Sequence, residues 1–460
     1  MTGRATHMAA AQAAAETTRL ETICEQVLAG VGDRADAQVT ASVIRTGLTR
    51  FANSGIHQHV GEHVVTATLT VAVEGRVASV ETSRTDDAGL YDLVEHAFAA
   101  ASIQHVDPDW PGVAPPTDIP EGVHDDVATH EALPADRAVL VERFVAAGET
   151  LRAAGYVDTE GVRTVLTTSA GHRAVGSMSR ATVDGIHQTA TSAGKGHQTS
   201  HRLADLDAAA VGERAARLAR DSADAADIEP GRIEVVLAPE CVATIMVFLG
   251  FYGFNAKSHL EGQSFAELGE QQFDPALDVW DDATDSRAIG LLFDAEGTPK
   301  QPVGLITRGR TSSLCHDRRT AKRAGAATTG HAIPGGAVYG ACPTNLFVSP
   351  GDAADIGELV SQVDRGLLVT EFNYCRVLDP RTQVVTGLTR NGTFQIEDGE
   401  VVRPVTNLRF TQSFIEALAP GNLLGATRRA RFSDSEFGAG MVHAPAMRLA
   451  GWTFTGGARG

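Results

Sequence analysis

Residues 239–251 read Pro-Glu-Cys-Val-Ala-Thr-Ile-Met-Val-Phe-Leu-Gly-Phe, a helical stretch that is apolar on every side after its first turn. Proline suits a helix start, where its missing N–H is no loss. A helix without a polar face has nothing to offer water, so protein must enclose it. Residues 246–251 are therefore expected to be buried on nearly all sides. The run is too short to cross a bilayer, and no stretch approaches the roughly eighteen uninterrupted apolar residues that a membrane span needs.

The surroundings of this helix define the rest of the fold. A strand is expected at 233–237, just before it. The second half is strand-rich, with turn signals at Arg308-Gly309, Asn391-Gly392 and Asp398-Gly399. In the first half, helix 9–31 sets Leu20, Ile23, Cys24, Val27 and Leu28 at helical spacing. Strand 39–51 follows, then a hairpin over 64–82 that turns at Glu74-Gly75. Helices are expected at 87–101, 137–154 and 208–226, and strands at 157–166, 172–181 and 185–192. A Pro- and Asp-rich connector fills 107–134. With 460 residues the chain exceeds one compact core, and two domains follow, residues 1–227 and 228–460. The fold class is α+β. An N-terminal mixed α/β domain with antiparallel strands precedes a C-terminal β-rich domain, barrel- or sandwich-like.

The formal charge of −18 excludes a phosphate-tracking nucleic-acid binder, which needs basic residues gathered on one face. The five cysteines are scattered, with no C-x-x-C pair, so neither a disulfide framework nor a structural zinc knot is indicated. No basic segment followed by an apolar run opens the chain, so a cytoplasmic location is expected. No G-x-S-x-G, Walker A or G-x-G-x-x-G pattern occurs, which leaves no sign of serine-hydrolase, NTPase or dinucleotide chemistry.

Several blocks, in order, carry a resemblance. They are residues 50–58 (Arg-Phe-Ala-Asn-Ser-Gly-Ile-His-Gln), Leu268-Gly269-Glu270-Gln271, Asp281-Asp282 and residues 293–299 (Phe-Asp-Ala-Glu-Gly-Thr-Pro). Residues 343–352, 365–370, 396–401 and Arg403-Pro404-Val405 follow. By themselves these blocks are mostly turn chemistry that holds a fold. Together they resemble the TldD/TldE (PmbA) peptidase family. In the TldD branch the long helix carries His-Glu-x-x-x-His, with two zinc-binding histidines and a general base, and a cysteine near the C-terminus completes the site. Laid on this sequence, those helix positions are Val247, Phe248 and Tyr252, and the tail 436–449 has no cysteine. The pattern is that of the TldE branch. No catalytic residue is expected by motif, nor any metal in this chain.

The resemblance implies a subunit of a peptide- or amide-hydrolysing complex, with zinc supplied by a TldD-like partner in a heterodimer. An alternative is a self-contained homodimeric amide hydrolase of a natural-product pathway. A second alternative is a non-catalytic binding protein. Candidate pocket residues are Tyr252, Phe254, His259, Cys375 and His443. Among the histidines, His57 and His59 share a strand face at a spacing that can serve a metal, while His63, His187, His197, His201 and His316 read as surface or loop positions. Cys315-His316 and Cys375 could hint at a thiol nucleophile, but a buried cysteine acting as a small hydrophobe is far commoner.

Overall fold

The computed structural model describes residues 2–122, 124–435 and 438–457. The N-terminal part is one antiparallel sheet of six strands in the order β3-β2-β1-β4-β5-β6. These are β1 (Asp36–Ala52), β2 (Gly55–Val73), β3 (Arg76–Thr82), β4 (Arg152–Thr168), β5 (Arg173–Gln188) and β6 (Ala193–Ser200). Strict alternation sends Ala37, Val39, Ala41 and Val43 of β1 to one face, where helices Thr2–Val31 and Asp87–Ser102 cover them. Farther along that face, helices Pro134–Ala147 and Ala208–Asp221 close over Phe51, Val157 and Val183. The opposite face is largely polar. At one place Leu166 and Ala174 pack against Phe293 of the C-terminal part.

The structure shifts several expected elements, each for a local reason. The helix expected at 137–154 runs Pro134–Ala147, and Glu149, with φ of 57°, breaks the chain into β4. The strands expected at 172–181 and 185–192 are one strand, β5. Its Gly185 marks no turn, because a Cβ there would lie 2.7 Å from the Phe144 ring. The glycines of β6, Gly194 and Gly196, lie under helix Ala208–Asp221, whose backbone would meet an added Cβ at 2.3 and 2.2 Å. Close helix-on-strand contact explains a strand with almost no apolar signal. Asn53 and Ser54, with φ of 50° and 61°, turn β1 into β2, which starts at Gly55 and not at 64.

In the C-terminal part, β7 (Arg232–Leu237) lies between strands Arg365–Asp379 and Met447–Gly457. Strands Leu408–Ser413 and Val384–Glu397 continue the sheet, and Val384–Glu397 pairs back onto Arg365–Asp379. A five-stranded barrel-like ring results. Asp398-Gly399 is the expected hairpin turn, whereas Asn391-Gly392 lies inside Val384–Glu397, where the register slips. A second sheet, containing Val279–Asp281, Val303–Thr307 and Leu346–Val348, packs beside the ring. Between them sits helix Pro239–Phe248, within one continuous core. Among the described residues no helix is long and apolar enough to cross a membrane.

Candidate functional site

Helix Pro239–Phe248 is enclosed as its composition demands: Val247 is 8% exposed, Phe248 1% and Leu249 0%. The expected helix to residue 251 does not continue regularly. From Leu249 to Gly253 the chain forms a π turn, closed by the Phe254 N–H donating to the Leu249 carbonyl at 2.9 Å. Its glycines are set by close contacts, since a Cβ on Gly253 would lie 1.8 Å from the Phe265 ring. Phe251 turns outward and is 37% exposed, against the expectation of full burial. Residues five apart on a regular α-helix lie roughly 140° apart around the axis. Only a widened turn brings such positions toward one side, and such turns are frequent at functional sites. The backbone feature a 247/252 ligand pair would use is thus present, while its side chains are Val247 and Tyr252. With Phe248 between them they offer no imidazole or carboxylate, so these residues do not fit zinc. Among the described residues no group of three or more His, Cys, Asp and Glu could hold a metal ion. Glu436 and Phe437, which open the C-terminal tail, lie outside the described residues.

The other candidates are spread over the domain. Tyr252 stacks on Phe248 at 6.0 Å and meets Phe251 edge-on at 5.1 Å. Phe254 is core, packed on Phe265 at 5.4 Å. His259 is half-buried on the short helix Ala256–Leu260. Cys375 is fully buried in strand Arg365–Asp379, its sulfur facing Gly387. His443 is wedged between Phe347 and Phe432 at 5.5 and 5.4 Å, and burial pulls its pKa down to about 4. Tyr252 and Phe254 therefore share the helix end, and Cys375 and His443 belong to other neighbourhoods. His59 bonds to Thr49 at 2.9 Å on the exposed edge half of β2. All five cysteines are buried. Cys315 and Cys241 are pushed far up by burial, Cys24 to about 11 and Cys342 to about 12, so none of these four is poised as a thiolate.

A cavity of about 550 Å³ lies elsewhere, between the two domains. One wall is β6 and helix Ala208–Asp221, the other the barrel and strand Glu400–Pro404. Lys195 crosses the gap, its Nζ 3.2 Å from both Asp184 Oδ2 and Glu371 Oε1. Asn391 Nδ2 donates to the second Glu371 oxygen at 2.5 Å. Burial nevertheless raises the Glu371 carboxyl above its ordinary range. Glu240, in the first turn of the apolar helix, is an ion-pair partner of Arg431 at 2.8 Å. Burial works to raise its pKa, but Arg431 and Arg214 outweigh it and hold the carboxyl low. Arg214 donates to the His197 carbonyl at 2.5 Å, and burial together with Arg431 lowers it to about 10. The His197 ring, also buried, falls to about 4. None of the five candidate pocket residues lines this cleft. Its lining comes from eight separate segments with no shared motif. The one local signal was Glu240, a carboxylate in the first turn of an otherwise apolar helix.

Residues 230–456 match the PmbA/TldA metallopeptidase C-terminal domain. A metalloprotease of Methanothermobacter thermautotrophicus is 26% identical over 227 residues, 45% of this chain and 45% of that protein. The chain thus matches less than half of that relative's length. The fold is similar to TldE from Thermococcus kodakarensis, with a TM-score of 0.84 at 15% identity, over 95% of this chain and 100% of that one. It is also similar to a proposed modulator of a DNA gyrase from Thermotoga maritima, with a TM-score of 0.83, 16% identity and the same coverage. A proposed gyrase modulator from Bacteroides thetaiotaomicron gives 0.79 at 17% identity, over 96% and 98% of the two chains.

Proposed function

The chain belongs to the TldD/TldE (PmbA) family, and from that premise we propose that it is a TldE-like subunit of a peptide- or amide-hydrolysing complex whose zinc sits in a TldD-like partner. One observation carries the reading. The positions that the TldD-branch motif would use carry Val247 and Phe248, at the end of the buried helix, and Tyr252, in the π turn that follows it, and none of the three is a zinc ligand or a carboxylate base. A carboxylate at 248 would be buried among aromatic rings, with Tyr252 at 6.0 Å and Phe414 at 5.8 Å, where its desolvation is costly. The helix has been committed to packing. In this reading the chain shapes a shared chamber and stabilises its partner, and the partner's metal activates water. A cytoplasmic heterodimer is the expected assembly.

The test is co-purification followed by metal analysis. The chain alone, dialysed against chelator, should retain far less than one zinc per protomer. Co-expressed with a TldD-like chain from the same organism, it should elute as a mixed complex through high salt with zinc bound. A stoichiometric metal kept by the lone chain through chelation would sink the reading.

A further inference from the structure

The interdomain cleft is electrostatically unlike the rest of the molecule. The whole chain carries −18, yet five cationic side chains line the cleft against three carboxyls. Lys195 is committed to Asp184 and Glu371. Arg431 gives one terminal nitrogen, Nη2, to Glu240, while the other, Nη1, is buried with no hydrogen-bond partner among the described residues. A buried donor without an acceptor is rare in folded proteins and calls for one. Arg214 lies close enough to Arg431 for the two positive charges to oppose each other. A single anion between them would fill the missing acceptor and relieve the repulsion. Glu240 and Asp221 stand in the same cleft and would oppose a multiply charged ligand, so a phosphate fits poorly and a carboxylate well.

The remaining lining says what should carry that carboxylate. Leu368, Phe394, Val401 and Val402 make the cleft's other half apolar. Strand Glu400–Pro404 ends its sheet: one edge pairs with Val384–Glu397, and among the described residues the other is met only near Pro404 and Val405, where Ala226 bridges. Val401 and Val402 are 46% and 48% exposed. An open edge beside an apolar trough is a template for an extended chain, which pairs its backbone there and buries its side chains.

We propose that the cleft binds the C-terminal end of an extended, apolar peptide, with the carboxylate held by Arg431, Arg214 and Arg217 and the backbone paired along Glu400–Arg403. The choice of a peptide rests on the reading of the chain as a peptidase subunit; the carboxylate site itself needs no partner.

The experiment uses the lone full-length chain and a dye-labelled Val-Leu-Val-Leu peptide, followed by fluorescence anisotropy. The free acid should bind about tenfold or more tightly than the C-terminal amide, the size of one charge-assisted contact pair. R431Q should reduce the acid to the level of the amide. Because R431Q also releases Glu240, R217Q at an exposed position serves as the second variant. It should weaken the acid several-fold with no change in melting temperature. Backbone N-methylation of the peptide should weaken both forms. Equal binding of acid and amide, or binding of neither, would overturn the proposal. Decanoate competing as well as the peptide would overturn the peptide assignment. Hydrolysis by the mixed pair without an acid–amide difference would remove this inference alone. An acid–amide difference without hydrolysis by the pair would remove the subunit reading instead.

Discussion

Replacing Phe248 by alanine tests whether the end of the apolar helix is core. The side chain is 1% exposed and lies within the continuous cluster that joins the barrel to the second sheet. It stacks on Tyr252 and meets Phe414 edge-on. Truncation removes a buried ring and leaves a cavity whose walls, drawn from barrel and helix, cannot easily collapse, so the loss should be about 3–5 kcal/mol. For a domain of this size each kcal/mol lowers the melting temperature by about 2–4 °C, which gives a drop of about 6–20 °C. Denaturant titration should show a lower midpoint with an unchanged slope, because the surface exposed on unfolding is nearly the same. Phe251→Ala, three residues on but 37% exposed, is the matched control and should cost under about 1 kcal/mol. If both substitutions prove equally mild, Phe248 faces a solvent-filled chamber and the packing argument is wrong.

Three further outcomes follow. Burial first, and then the neighbouring Asp294, raise the Glu296 carboxyl to about 7, above its ordinary 4.5. The folded state therefore holds that proton more tightly than the unfolded one, and the group's favourable contribution is present below pH 4.5 and lost as pH rises through 7. Glu296→Gln should match the parent near pH 4.5 and exceed it by roughly 1–3 kcal/mol above pH 7, read by denaturation at each pH; a difference that shrinks with rising pH would refute this. All five thiols should resist a disulfide-exchange reagent in the native protein and react once it is unfolded, and one fast-reacting native thiol would contradict their burial. Gly297→Ala places a Cβ 2.6 Å from Leu166 at φ of 78°, so it should lower stability by about 1–3 kcal/mol at the contact between the domains. An unchanged midpoint would show that this contact yields freely.

The elements legible in the sequence were those whose signal is local. Helix Asp87–Ser102 and the turns at Glu74-Gly75 and Asp398-Gly399 lie where pattern and turn chemistry place them. Strand β6 was hidden because its glycines answer to a helix that packs on them from 208–221, a tertiary cause that no strand pattern reports. Gly185 and Gly392 misled for the same reason, serving close approach and a bulge where they suggested turns. The burial of helix Pro239–Phe248 was legible from its apolar composition, but the π turn that follows it was not; Pro343 and Phe265 pack against its Gly250 and Gly253. Apart from Glu240 in the first turn of the apolar helix, the cleft was invisible to pattern. Lys195, Arg214, Glu240, Glu371 and Arg431 meet only once two domains have docked.

The central claim is that catalysis needs a second, metal-bearing chain. The most direct measurement is hydrolysis of a short unstructured peptide by this chain alone, by a TldD-like chain alone and by the two mixed, all at equal protein concentration. The account expects no turnover from this chain alone and clear turnover from the mixed pair. Activity of the pair should be lost with zinc removal, and should survive alanine at His259 or His443 of this chain. Turnover by this chain alone, abolished by replacing one of its own histidines, would contradict the account and make it a self-contained hydrolase.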